Sequence, residues 1–450
     1  MENQEKQNLT TADLKRTLGK KELYSIAFGH VIGSGVFSLI GVGIGMTGKS
    51  VFIGILISSI FVLIQALPLI LISGTARFRG GLYSIMATLW GEKFAGFYIV
   101  IYFVANISLA MYALSFAQYL QGIVPSAPIT PVALLVLTVF FIANLLGIEG
   151  AAKLEIAMDI ILAVALTAFI VYGLPQVDYE NFLTEDFMTA GPMGLMSCGV
   201  LLTWATAGGS DMINLSAEAK NPTKDLPQVI VVATVGVAVF YALIAVVAGG
   251  VLPISQTADQ PLDVVAKVIF PTPVYLFFII AGALLALSTT LNASFAWVTK
   301  PILQACNDGW LPKKLGYIHP KFKTPVLILA VFYVIGLLPI VFGFDIGMIA
   351  DIAVIMNCTL FILICLGAIY MPKKLPELWE KSSFRCGQTK LWAYAILGSL
   401  SSLITVGLLL VDVGKTQAIG LIIITLIAIV YAYLRYKSGK VDMQESCEAM

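Results

Sequence analysis

The sequence predicts an all-α polytopic membrane protein of twelve transmembrane helices, arranged as two inverted five-helix repeats in which helices 1 and 6 are broken. Three observations carry that prediction: an apolar composition, apolar runs of membrane length, and two glycine clusters that interrupt runs five spans apart. Of 450 residues, 59% are hydrophobic and 12% charged, against roughly 25% charged in a soluble domain. Mean hydropathy is +0.92. So few polar side chains cannot cover a core of this size in water. Only helices and closed barrels satisfy their backbone in lipid. The runs are long and continuous, not short and alternating, so they are helices. The 27 basic and 26 acidic residues nearly cancel, which excludes a nucleic-acid binder.

About 20 apolar residues cross a bilayer. Runs of that scale fall at 22–45, 50–73, 94–121, 130–147, 153–174, 191–217, 228–251, 272–304, 325–343, 346–371, 391–411 and 416–436. With a cytoplasmic N-terminus, 24 of the 27 Lys and Arg lie inside, and only Lys49, Lys267 and Lys415 lie outside. This asymmetry fits the positive-inside rule and an even number of spans. Both termini are then cytoplasmic, in a multi-pass protein of the cell membrane whose constant partner is the lipid bilayer. The expected segments are a tail at 1–21, a first repeat at 22–174, a second repeat at 191–371, helices 11 and 12 at 391–436, and a tail at 437–450. Residues 1–20 hold no apolar core, so no cleavable signal is expected.

The six cysteines form no C-x-x-C pair, and several fall in or beside apolar runs. That argues against a disulfide framework or a zinc site. None is expected in an outside loop, so no disulfide-linked partner subunit is expected. Two histidines, His30 and His319, exclude a histidine-rich metal centre.

Span 1 contains Gly29-His30-Val31-Ile32-Gly33-Ser34-Gly35 and span 6 contains Trp204-Ala205-Thr206-Ala207-Gly208-Gly209-Ser210-Asp211. Each glycine costs roughly 1 kcal/mol in a helix interior. Clustered with serine, they mark places where a helix unwinds. Unwound backbone at membrane depth survives where it lines a cavity. Matching interruptions in two halves point to a transporter's substrate site. Close helix packing is the other use of such small residues. A five-span offset makes the second set of five spans an inverted copy of the first.

Gly33-Ser34-Gly35-Val36-Phe37 resembles the first-helix signature of the amino acid–polyamine–organocation superfamily. The segment Glu218–Pro227, and Asn307-Asp308-Gly309-Trp310-Leu311-Pro312 with His319-Pro320-Lys321 and Thr324-Pro325, resemble that family's segments after helices 6 and 8. The resemblance runs from about residue 15 to 390. It implies the LeuT-like fold and amino acid transport by alternating access, through a pathway lined by spans 1, 3, 6, 8 and 10. It names no single substrate.

On this resemblance, the backbone of Ile32, Gly33, Ser34 and Gly35 holds a substrate carboxylate at a half-helix N-terminus. The carbonyls of Ala205, Thr206 and Ala207 receive the α-ammonium. Gly208, Gly209 and Ser210 leave room for a side chain. Trp204 is a gate over the substrate or a packing residue. Asp211 binds a cation or caps the resumed half-helix. Asp159 in span 5 and Asp351 in span 10 are ion sites or members of polar networks. His30 titrates in a proton-coupled cycle or acts as a neutral hydrogen-bonding group. Ser288, Thr289 and Thr290 sit where sodium-coupled relatives place hydroxyl ligands, with Ser288 and Thr289 the sodium candidates, or bond back to their own helix. Some sodium-independent relatives carry a lysine in span 5; here Leu162 falls at or near that position. Glu218 forms an inner-gate salt bridge with a basic residue near span 1 or span 8, or is a solvated loop charge.

No cofactor is called for, and the coupling ion is a proton or sodium. Gly45-Met46-Thr47-Gly48-Lys49-Ser50 carries part of a phosphate-loop pattern, on a short outside connection, so ATP hydrolysis is not indicated. A membrane enzyme would need convergent His, Asp or Glu, and glycine breaks stand in their place. The alternative to an amino acid carrier is an amine or polyamine carrier of the same superfamily, with Asp211 or Asp159 as its cation site.

Overall fold

The computed structural model describes residue 11, residues 14–443 and residues 446–448, apart from a few side chains that include Ser34. In lipid each backbone N–H must find its carbonyl within its own segment, and helices dominate accordingly. The first half runs α1 (Lys20–Val31), α2 (Ser34–Thr47), α3 (Val51–Ser73), α4 (Leu82–Trp90), α5 (Glu92–Ala105), α6 (Ser108–Ile123), α7 (Ile129–Leu145) and α8 (Ile148–Gly173). Next come α9 (Gly191–Leu201), α10 (Thr203–Thr206), a 3₁₀ segment (Gly209–Leu215), α11 (Pro222–Gly250), the short α12 (Ile254–Thr257) and α13 (Asp263–Ile269), then α14 (Thr272–Phe278), α15 (Leu285–Trp297) and α16 (Thr299–Asn307). The chain closes with α17 (Val326–Val341), α18 (Ile346–Gly367), the short α19 (Met371–Lys374) and α20 (Pro376–Lys381), α21 (Gln388–Asp412) and α22 (Lys415–Lys437). Strand β1 (Arg77–Phe78) pairs antiparallel with β2 (Cys447–Glu448).

Eight helical stretches are long and apolar enough to cross a membrane: Leu39–Ser73, Glu92–Gln121, Glu149–Gln176, Pro222–Gly250, Thr272–Asn307, Ile346–Lys374, Gln388–Leu410 and Lys415–Lys437. Two further apolar helices, Ile129–Leu145 and Val326–Val341, are shorter. The runs read as spans 1 and 6 are each split into short helices, at the predicted glycines.

Two runs expected to be continuous are interrupted. The run 94–121 breaks between α5 and α6 at Asn106, whose Nδ2 donates to Tyr102 O at 2.8 Å. That side chain competes with the helical ladder for the same carbonyl. The run 272–304 contains a π-turn at Ile279–Leu284 and a joint at Val298. At the π-turn Gly282 lies against Phe37 of α2, whose Cζ would stand 3.2 Å from an added Cβ. The division between α17 and α18 falls where expected: Gly343 takes φ +67°, and Asp345 caps α18 by accepting from Met348 N at 3.2 Å.

Burial separates centre from periphery. In Thr272–Asn307 67% of the apolar window is buried, against 22% in Gln388–Leu410 and 17% in Lys415–Lys437. The last two helices therefore present most of their surface to lipid. α11 packs along α3 and α1, and α15 packs on α1, α6, α7 and α8, so the split helices lie inside the molecule. All six cysteines are free thiols.

Close packing sets where glycine is required. Gly96 of α5 lies flat beneath the fully buried ring of Trp310, where any Cβ would overlap the indole. Gly407 of α21 has nothing within 4 Å of that position. Gly96→Val is expected to cost about 1–3 kcal/mol through overpacking, and Gly407→Val to leave stability unchanged. Thermal unfolding of the two detergent-purified variants checks the difference.

Candidate substrate site

The first break lies at Ile32 and Gly33. α1 ends at Val31, Ile32 leaves the helix with ψ 82°, and Gly33 is extended at φ −120°, ψ −150°. α2 resumes at Ser34 with no side chain capping its first turn. Its leading N–H groups have no partner within the helix. The freed carbonyls of α1 are held from two sides. Tyr241 of α11 donates to Val31 O at 3.3 Å, and Thr290 Oγ1 of α15 donates to Gly29 O at 3.2 Å.

The second break lies at Ala207 and Gly208. α10 is a single turn; Ala207 is extended and Gly208 takes φ +121°. Among the described residues, no backbone N–H reaches the carbonyls of Ala205, Thr206 or Ala207 across this break. The two breaks face each other. A Cβ on Gly35 would stand 2.7 Å from both Cα and Cβ of Ala205, and one on Gly208 would stand 2.9 Å from Cδ2 of His30. One on Gly33 would stand 2.6 Å from Thr290 Oγ1. The start of α2 thus packs against the end of α10.

The structure brings most of the predicted residues to this junction. Ala205, Thr206 and Ser210 are buried, and Trp204 is half-buried against the larger hydrophobic core. Thr206 Oγ1 lies 3.1 Å from Ser58 Oγ of α3. The side chain of Ser34 lies outside the described residues. Asp211 does not cap: no side chain caps the 3₁₀ segment. Its Oδ2 lies 3.2 Å from Nε2 of His30, which ties the end of α1 to the chain beyond the second break. The His30 ring meets Trp297 edge-on, centroids 5.4 Å apart.

Glu218 is buried and pairs with Lys300 of α16 at 3.0 Å, as the salt-bridge reading expects of a basic residue near span 8. The solvated-loop reading is overturned. This pair stands in a network of bonds that the segment around Leu18 joins. Leu18 bridges Ala219, through Leu18 N to Glu218 O at 3.0 Å and Lys220 N to Leu18 O at 2.9 Å. Buried Arg77 donates to Ala219 O at 2.9 Å. Asn214 Oδ1 accepts from Leu82 N at 3.0 Å.

Ser288 Oγ donates to Leu284 O, and Thr289 Oγ1 to Ala286 O, in the ordinary back-bonding of membrane helices. Thr290 alone of the three reaches α1. Leu162 is buried in apolar surroundings. Asp159 accepts from Ser25 Oγ of α1, and Asp351 is half-buried in α18. The sequence reading passed over Glu155, which is fully buried beside Asp159. The signal was present: carboxylates four apart share one helix face. Lys300 had been counted as an inside charge and Trp297 as part of an apolar run.

The run Gly43–Ser50, taken one residue pair further back than Gly45, matches the whole phosphate-loop pattern G-x-x-x-x-G-K-S. The fold rules that function out. Residues Ser34–Thr47 are helical, no strand precedes them among the described residues, and Lys49 is buried with its Nζ 5.9 Å from the Phe182 ring centre. Gly43 is there for packing, against Val51 and Cys198.

Long apolar helices around a buried junction of two broken ones define a multi-pass membrane protein with a main-chain-lined centre. A sequence model of the amino acid permease family matches residues 18–433, and the chain belongs to that family. It is 25% identical over 421 residues to the branched-chain amino acid permease BcaP of Bacillus subtilis (strain 168), covering 88% of this chain and 89% of that protein. It is 24% identical over 398 residues to the methylthioribose transporter of the same organism, covering 83% and 84%. With cationic amino acid transporter 1 of Arabidopsis thaliana it shares 23% over 337 residues, 70% of this chain and 56% of that protein. These relatives are permeases and transporters, and the chain is not an enzyme.

Removing one member of a buried ion pair leaves the other uncompensated, at a cost of about 3–5 kcal/mol. Lys300→Met and Glu218→Leu are each expected to destabilise the purified protein on that scale. The double variant, which buries no charge, is expected to recover most of the loss, as read by denaturant melts of all four proteins.

Proposed function

We propose that this chain is a secondary active transporter that moves amino acids across the cytoplasmic membrane by alternating access. The carboxylate rests on the N–H groups at Gly33–Gly35 and the amino group on the carbonyls at Ala205–Ala207. The observation that carries this reading is the contact of the two breaks at Gly35 and Ala205, where the start of one helix meets the end of another, with no charged side chain required. Trp204 gates the bound molecule from its half-buried position. The twelve-span, 5+5 inverted-repeat reading draws support from the placement of the breaks and from the pairing of Arg16 with Glu448, which brings the first and last described segments to one face. The lysine and arginine asymmetry makes that face cytoplasmic.

Rocking of one repeat against the other opens the site alternately. The Glu218–Lys300 pair and the Leu18–Ala219 bridge support a stage of the cycle closed toward the cytoplasm. The amine-carrier alternative needs a free carboxylate, but Asp211 is engaged by His30 and Asp159 by Ser25. The back-bonded hydroxyls of Ser288 and Thr289 favour a proton over sodium as the coupling ion.

Counterflow in proteoliposomes tests the assignment. Vesicles preloaded with one unlabelled α-amino acid are expected to take up its labelled form, while polyamine-loaded vesicles take up no polyamine; the reverse pattern sinks the assignment. Gly35→Val drives a side chain into Ala205, so it is expected to abolish counterflow while the protein still purifies as a folded monodisperse species.

A further inference from the structure

One buried polar group outside the substrate site has no evident packing role. Glu155 of α8 is fully buried. Its Oε2 accepts from Asn292 Nδ2 of α15 at 2.6 Å, and Asn292 Oδ1 in turn accepts from Asn144 of α7 at 3.0 Å. Its Oε1 is buried with no hydrogen-bond partner. One turn further along α8, half-buried Asp159 accepts from Ser25 Oγ of α1 through Oδ2. Both carboxyls converge on Gly29 of α1. A Cβ there would collide with Glu155 Oε1 and lie 2.8 Å from Asp159 Oδ1. The bare glycine lets the two free oxygens share one small space.

The charges around the pair are few. Asp159 acts on Glu155 as a neighbouring carboxylate. His30 of α1 turns to Asp211. Asn292 of α15 and Asn144 of α7 are neutral. Glu149 and Lys153 of α8 itself are exposed. Asp225 of α11, Asp263 of α13 and Tyr275 of α14, on the other helices packed against α8, bear on neither carboxyl.

We propose that Glu155 and Asp159 form a proton site between α1, α8 and α15, loaded with one proton when α1 is seated as here and emptied when α1 moves away. Two facing carboxylates in a dry pocket with no cation are costly, and one shared proton removes the repulsion. The inventory of donors selects a proton over a metal ion. Ser25 and Asn292 already donate to Oδ2 and Oε2, which leaves Oε1 and Oδ1 as the free acceptors. Two oxygens suffice for one O–H···O bond, whereas hard cations gather about six oxygen ligands. The proton on one carboxyl donates to the other, and nothing else is transferred. Gly29 stands four residues before Gly33, on the same half-helix that ends at the substrate break. A shift of that half-helix uncovers the pair to water and disturbs the substrate site together, so each binding event biases the same two-state element.

This inference rests on the transport reading above, and the test separates the two. Infrared difference spectra of the purified protein, taken across a pH titration without substrate, read the pair directly. A protonated-carboxyl band is expected in the wild type and absent from both Glu155→Gln and Asp159→Asn. In proteoliposomes the wild type is expected to accumulate its amino acid against a gradient when the pH gradient is imposed. Glu155→Gln is expected to keep counterflow within about threefold while losing that accumulation. A band unchanged in both variants, or accumulation retained by Glu155→Gln, overturns the proton site. An absence of amino acid counterflow in the wild type, with the band still lost on substitution, overturns the transport reading alone. Accumulation driven by sodium and indifferent to pH overturns the proton assignment.

Discussion

The structure turns on one constraint of the bilayer: a backbone N–H or C=O in hydrocarbon must be satisfied, or the segment does not stay there. Two stretches of this chain, at Ile32–Gly33 and at Ala207–Gly208, give up their helical ladders inside the molecule. They persist because the surrounding helices supply partners. Tyr241 and Thr290 hold the carbonyls at the end of α1, and Thr206 leans on Ser58 of α3. Buried helices α11 and α15 exist in this account to hold main chain in an unwound shape, and glycines 33, 35 and 208 allow that main chain to come together.

The network around Leu18, Glu218 and Lys300 follows a different physics. There the fastening is made of charges and a strand-like bridge rather than of apolar contact. Lys300 and Glu218 are matched in a dry position, and Arg77 caps the carbonyls of Ala219 and Lys220. Beyond them, Glu448 lies 2.9 Å from Arg79 and pairs with Arg77 across the small sheet. Interactions of this kind are strong only while geometry is kept and water is out. Such a network loosens over a short displacement. Most of the surface of α21 and α22 faces lipid, while Arg435 of α22 donates to Gly309 O at 2.7 Å.

Much of this was legible from residues alone, for identifiable reasons. Glycine clusters in apolar runs have few uses, so the two breaks could be placed to within a residue or two. Gly343 and Asp345 marked a turn for the same local reasons. Pairings across the fold were not legible. Glu218 could be assigned a buried cationic partner but not Lys300 by name, because that pairing spans 82 positions of chain. His30 and Asp211 were separate candidates until α1 and the 3₁₀ segment placed them 3.2 Å apart. Glu155 was missed because it stands near a helix end with exposed Lys153 two residues away, where a boundary charge is the ordinary expectation. The breaks at Asn106 and at the π-turn were hidden because both sequences are compatible with an uninterrupted helix. Side-chain competition at Asn106, and the approach of Phe37 to Gly282, arise only from the packed fold.

The central claim is that main chain at two breaks, and no charged side chain, recognises both ends of an amino acid. Equilibrium binding of a transported amino acid, its carboxamide and its deaminated analogue to the purified protein tests it most directly. Each analogue removes one charge that the breaks are held to grip. The account predicts that both analogues lose at least about 100-fold in affinity, some 2.7 kcal/mol each, and that Asp211→Asn leaves recognition of the parent amino group intact. Tight binding of either analogue, or loss of amino-group recognition in Asp211→Asn, would contradict it.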